Sequence, residues 1–216
     1  SYSLLHSKNW HSYKDKEATS MVTASDKPDI KKIEHFRWTC DCEMDFGGRV
    51  QNILGMKHGL PIILDLFKAN EIKALFFIST EILRYCREEI VSIIEAGHEL
   101  GSHGHFHTLV KSWRSIEDRI LSEELLFSLT GKYPRFFRAP KFSSFRDSYV
   151  YANPRNHVGL LKQLWFRMPI PSDPIFYLHP FDIVGGSNAP NLFCKVWYSR
   201  PKEALELFER LVSKYK

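Results

Sequence analysis

"KALFFIS" at 73–79, "EEIVSIIEAG" at 88–97 and "HELGSHG" at 98–104 run in succession through the middle of the chain. The first is a compact apolar run bounded by polar residues, which suits a strand buried on both faces. The second carries Ile90, Ile93 and Ile94 at helical spacing and is stopped by Gly97, so it reads as an amphipathic helix. The third is a short strand running into a turn. Strand, helix and strand in this order predict a parallel crossover, and with it an α/β fold built on a parallel sheet or barrel.

The same alternation extends in both directions. Upstream, "FRWTCDC" (36–42) reads as a strand that enters the Gly47-Gly48 turn, and Pro61 stands at a first helical position, followed by Ile62, Ile63, Leu66, Phe67 and Ala69. Downstream, a helix is expected from Ser115 to Thr130, ended by Gly131, and then strands in "RFFRAP" (135–140) and "PIFYLHP" (174–180). A last helix begins near Pro201, with Ala204, Leu205, Phe208, Leu211, Val212 and Tyr215 on one face. Residues 1–35 have no apolar periodicity and read as an N-terminal extension or peripheral arm. Residues 36–216 read as a single domain, with no internal repeat.

Composition narrows the partners. With 44% apolar residues and a net charge of +5, the chain is globular, and its basic residues are scattered among acidic ones. Lys31-Lys32 is the nearest approach to a basic cluster, so no nucleic-acid partner is expected. No run nears the ~20 apolar residues of a membrane span, and "SYSLLHSKNW" lacks the apolar centre of a signal peptide, which favours a cytoplasmic protein. Cys40, Cys42, Cys86 and Cys194 repeat no spacing and read as buried free thiols.

In parallel α/β folds, chemistry gathers at the carboxyl ends of the strands. The predicted strands end there with Asp41 and Glu43, His103 and His107, Arg138, and His179. On a tight loop or one helical turn, positions i and i+4 share a face while i+2 points elsewhere, so His103 and His107 can close on one ion without His105. Gly101 and Gly104 allow the tight backbone this needs. Thr39, Asp41 and Glu43 alternate with Trp38, Cys40 and Cys42, so in a strand the two acids share a face. One can bind the ion while the other takes a proton.

The ordered set "TCDCE" (39–43), "EAGHELGSHGHFH" (95–107), "FFRAP" (136–140) and "FYLHP" (176–180) resembles the polysaccharide deacetylase family, also called the NodB-homology or carbohydrate esterase family 4 domain. The resemblance covers roughly residues 36–216. It implies a distorted (β/α) barrel and a divalent ion, most often zinc, used to remove acetyl groups from sugars. Carried over, it implies that Asp41 is the general base, that His103 and His107 bind the metal, and that Arg138 pairs with and aims Asp41. His179 would be the general acid, and the backbone N–H near Lys141 would help hold an oxyanion. A bound ion of this kind polarises an acyl carbonyl and acidifies water.

Two features depart from the family. Its first motif has two adjacent aspartates, whereas Asp41 is followed here by Cys42 and Glu43. Glu43 is therefore expected as the third ligand of an Asp-x-Glu variant, with Asp45 and Cys42 as the alternatives. Between Phe142 and Ile175 the chain is shorter than the family leads one to expect, and "YANPRNHVGLLKQLWFRMP" (151–169) has no clear strand-helix order. Trp165, Phe166 and Met168 in that stretch suit a sugar-stacking surface or a core anchor equally. His58, His98 and His157 read as structural. Asp182 reads as a turn carboxylate that could also orient His179.

The expected function is metal-dependent hydrolysis of an N-acetyl or N-formyl group on an amino sugar, in a polysaccharide or in a surface-glycan precursor such as an O-antigen. The alternatives are cleavage of a non-sugar C–N bond on the same fold, and a catalytically silent sugar-binding domain.

Overall fold

A computed structural model of the protein describes residues 36–47, 52–109, 113–143, 175–185, 192 and 201–216. The expected extension (1–35), Cys194, His157, and Trp165 with its aromatic neighbours lie outside the described residues.

Strand β1, Trp38–Cys42, is the centre of the structure. It is followed by a π-helical turn, Gly55–Gly59, that runs directly into helix α1, Leu60–Ala69, with Pro61 at its start. Strand β2, Leu75–Ile78, is buried throughout. Helix α2, Leu83–Glu95, begins earlier than its periodicity suggests and is kinked at Cys86, where φ is −132° and ψ 33°. Gly97 then takes φ +75°, a left-handed value that costs a glycine little. Strand β3 is Glu99–Ser102, helix α3 Trp113–Thr130, strand β4 Phe176–Leu178 and helix α4 Pro201–Lys214.

Among the described residues, these four strands form one parallel sheet in the order β3-β2-β1-β4. The strand expected over 135–140 shrinks to a parallel bridge between Phe137 and Ser102 on the outer side of β3. It is held by Ser102 N–H to the Phe136 carbonyl at 2.8 Å and Arg138 N–H to the Ser102 carbonyl at 3.0 Å. The chain then leaves the sheet at Pro140, where a short 3-10 turn begins, so no longer ladder forms.

Alternation along β1 separates two environments. Trp38, Cys40 and Cys42 face the main core with residues of α1, α2 and α4. Trp38 stacks on Phe176 at 4.6 Å, meets Phe67 and Phe208, and donates from Nε1 to the Tyr215 carbonyl at 2.9 Å. Of the face predicted for α4, Ala204, Phe208, Leu211 and Val212 are buried, together with Leu207. The opposite face of the sheet holds a smaller cluster of Leu75, Phe77 and Phe136. Buried polar Thr39, Asp41 and Arg138 lie beside it, with the Arg138 guanidinium 4.2 Å from the Phe77 ring centre. Among the described residues, no helix is long and apolar enough to cross a membrane.

Candidate metal and catalytic site

Sheet register brings the site together. Cys42, Ile78 and Ser102 are level across β1, β2 and β3, so Glu43 and His103, each the next residue of its chain, emerge side by side at the carboxyl edge. On the other flank Cys40 is level with Leu178, which puts Asp41 beside His179. Arg138 follows the Phe137 bridge to Ser102 and so stands next to His103.

Glu43 Oε2 lies 2.5 Å from His107 Nε2 and 3.5 Å from His103 Nε2. The ligand atoms of Glu43, His103 and His107 all fall within 4.8 Å of one another. The chemistry of this group fits a cation. His103 Nδ1 is 2.7 Å from the Arg138 carbonyl, which can only accept, so Nδ1 donates there and Nε2 is the ring atom that faces Glu43. Although Glu43 Oε2 is buried, no hydrogen bond of acceptable geometry reaches it. Two imidazoles and one carboxylate are a known three-residue ligand set for a catalytic zinc that keeps a position open. Burial alone would raise the Glu43 pKa, but His107, His103 and His179 outweigh it and hold the carboxyl well below its usual range.

The alternative ligands turn elsewhere. Cys42 Sγ faces the core, 4.0 Å from Cys40 Sγ. The Asp45 carboxylate accepts the Gly55 N–H at 3.1 and 3.4 Å, because the alternation that would have aligned it with Glu43 ends in a turn. Burial pushes its pKa up to about 6 despite those bonds. His105 also stays outside, with its Nδ1 2.9 Å from Thr80 Oγ1.

Asp41 and Arg138 form a buried ion pair through Oδ1 and Nη1. Arg138 Nη2 donates to Thr39 Oγ1 at 2.8 Å, and that hydroxyl donates to the Phe176 carbonyl at 2.8 Å. Asp41 Oδ2 faces the other way, 4.0 Å from His103 Nε2. His179 is stacked on Phe181 at 4.6 Å, and its Nε2 is 3.8 Å from Glu43 Oε1. Asp182 combines the two roles considered for it. Its Oδ2 accepts the His179 backbone N–H at 2.7 Å, capping the Pro180–Asp182 turn, and lies 3.3 Å from His179 Nδ1. Burial lowers the His179 pKa, but Asp182, Glu43 and Asp41 more than reverse this and raise it to about 9. Lys141 is exposed at φ +53°, in the 3-10 turn that begins at Pro140.

Three neighbours were not evident from the sequence. Gly47 takes φ +70°, and a side chain there would begin 3.6 Å from the His107 ring and 3.7 Å from Glu43 Oε1, so Gly47 forms a rim of the site. Thr39 lies on the predicted acidic face, but its link to Arg138 depends on a residue 99 positions away. Asp118, on α3, accepts from the backbone of the His103–His107 loop. Its only sequence signal is a carboxylate in a helix without an evident partner.

Residues 54–155 match the polysaccharide deacetylase family model. That span includes His103, His107 and Arg138, whereas Asp41, Glu43 and His179 lie outside it. The chain is 36% identical over 85 residues to a peptidoglycan deacetylase of Helicobacter pylori, a match covering 38% of this chain and 29% of that protein. It is 30% identical over 99 residues to a peptidoglycan-N-acetylglucosamine deacetylase of Bacillus cereus, covering 44% and 36%. The matches thus span about a third of those relatives' length. Among solved structures, the fold is similar to the peptidoglycan deacetylase PdaC from Bacillus subtilis, with TM-score 0.55, 16% identity, and 82% of each chain covered. It is similar also to a CE4 family pseudoenzyme from Bacillus anthracis, with TM-score 0.51, 17% identity, and 82% and 59% covered. With its α/β parallel sheet and these likenesses, the chain has the fold of the polysaccharide deacetylases, a distorted (β/α) barrel, and its residues 54–155 are similar to that family.

Proposed function

We propose that the protein is a metal-dependent hydrolase that removes the N-acetyl group of an amino sugar in a polysaccharide or its precursor. The observation that carries this reading is the convergence of Glu43, His103 and His107 beside the second oxygen of Asp41. A pseudoenzyme shares the fold, so the fold alone does not argue for activity; the side-chain set does.

Glu43, His103 and His107 would hold a divalent ion, most simply zinc, which when bound supplies Lewis-acid polarisation of the acyl oxygen and a more acidic water. Arg138 and Thr39 fix Asp41 so that Oδ2 faces the site, where it can take a proton from the attacking water. His179, protonated near neutrality and oriented by Asp182 and Phe181, can give a proton to the departing amine. The backbone at Lys141 is the donor proposed for the developing oxyanion. The names of the curated relatives support an N-acetylglucosamine-containing glycan as the first substrate to try.

Acetate release should be measured on N-acetylated sugar oligomers and glycan precursors, with N-formylated sugars and cyclic amides in parallel. Asp41→Asn is expected to lower turnover about 10²–10⁴-fold while bound zinc stays near the wild-type amount. Loss of zinc in that variant would instead make Asp41 a ligand. Release from cyclic amides alone would replace the sugar reading.

A further inference from the structure

Helix α3 packs against the ligand loop with a polar face. Its buried positions near the start are Ser115, Asp118 and Ser122, whereas Ile116 and Ile120 are 62% and 50% exposed. This inverts the usual rule that an amphipathic helix buries its apolar stripe. The three buried residues are spaced i, i+3 and i+7 and therefore share one side of the helix.

That side meets the His103–His107 loop. Asp118 Oδ2 accepts the His105 N–H at 3.0 Å, and Oδ1 accepts the Phe106 N–H at 2.7 Å. Ser122 Oγ receives the Ser102 hydroxyl at 3.0 Å, and Ser102 Oγ in turn is 3.3 Å from the Gly104 N–H. Three successive amides, 104 to 106, are thus taken by side chains of α3 or by one that α3 holds. The matching carbonyls go to the turn after β2: Thr80 N–H to Gly104 at 3.0 Å, and Glu81 N–H to His105 at 3.1 Å. Gly104 has φ +78°, and any side chain there would collide with Asp118 Oδ2. His107 itself has φ +54°, an uncommon left-handed value for a histidine. A loop with two left-handed residues and no ladder of its own depends on outside partners to keep one shape.

We infer that Asp118 is a positioning residue of the metal centre. By clamping the amides of His105 and Phe106 it fixes the loop in the conformation that aims His107 Nε2 at Glu43, across from His103. This rests on the proposed metal site, and it acts on ligand geometry without contact with ion or substrate.

The test is zinc affinity, by competition with a chelator, and the visible spectrum of the cobalt-substituted protein, for wild type, Asp118→Ala and Asp118→Asn. Partners that orient ligands typically contribute 10–100-fold to metal affinity, so Asp118→Ala is expected to bind zinc weaker by that factor, with an altered cobalt spectrum. Asp118→Asn keeps an oxygen acceptor and should recover part of the loss. Affinity and spectrum unchanged in Asp118→Ala, or no recovery in Asp118→Asn, would overturn the inference. If wild type itself binds neither metal, the metal reading fails first. Amide exchange in the metal-free wild type provides a measurement independent of the variants' folding: His105 and Phe106 should exchange at least ~10-fold more slowly than in an unstructured peptide, and rapid exchange at both would overturn the clamp.

Discussion

Arg138 is fully buried, and its charge is answered by Asp41, by the Thr39 hydroxyl and by the face of Phe77. Removing one member of a buried ion pair strands the other, at a typical cost of about 3–5 kcal/mol. Arg138→Leu should therefore lower the stability measured in urea by about that amount, and Arg138→Lys should not restore it, because an ammonium cannot span Asp41 and Thr39 together. A loss below about 1 kcal/mol would mean that Asp41 has another counter-charge. His98 supplies a pH-dependent counterpart. Its Nδ1 accepts the Ala74 N–H at 3.2 Å, and its ring meets Phe67 and Phe76. Burial first, and then the Lys73 cation, bring its pKa down from 6.5 to about 4. A histidine whose folded pKa lies below its unfolded one contributes fully above 6.5, and that contribution is lost as pH falls towards 4. Urea midpoints should drop over that window in wild type and drop less in His98→Gln; equal slopes would contradict this. Motif order makes residue types such as Asp41, His103 and Arg138 readable from the chain. The assignment of Glu43 rather than Asp45 or Cys42 was not readable to the same degree, since it depends on where β1 stops and the turn begins.

At the scale of elements, the π-helical turn Gly55–Gly59 lies flat against the Pro180–Asp182 turn that follows His179. A Cβ on Gly59 would fall on the Pro180 carbonyl oxygen, and one on Gly55 would strike the Phe181 backbone. Gly59→Ala should accordingly destabilise by roughly 1–3 kcal/mol, the usual cost of overpacking, and lower activity by displacing His179. An unchanged thermal midpoint with full turnover would show that the two turns separate freely. Periodicity predicts α1, α2 and α4 well because each buries an apolar stripe on the sheet. The helix predicted from Ser115 to Thr130 forms as α3, but its buried side was not readable, since Ile116 and Ile120 are exposed while Ser115, Asp118 and Ser122 are buried. The short "RFFRAP" run is β-rich in composition, yet it forms only a bridge, because Pro140 turns it away after one pair of hydrogen bonds to Ser102.

For the whole molecule, the proposed metal site links ion binding to folding. An ion that binds only the folded chain stabilises it by about 2.7 kcal/mol when supplied at 100 times its dissociation constant. For a domain of this size that corresponds to a rise of roughly 5–10 °C in melting temperature. The rise should vanish in a His103→Ala, His107→Ala double variant, and a wild type indifferent to zinc, cobalt and manganese would argue against the site. The sequence by itself determined the alternating elements, the α/β class and the residue types that reach the carboxyl edge, since these follow from local periodicity and from motifs read in order. Only the tertiary structure turned Asp45 and Cys42 away from the histidines, joined Thr39 to Arg138 beside Asp41, and brought Asp118 to the His103–His107 loop. Those choices depend on register and on contacts across tens of residues, which no local pattern encodes.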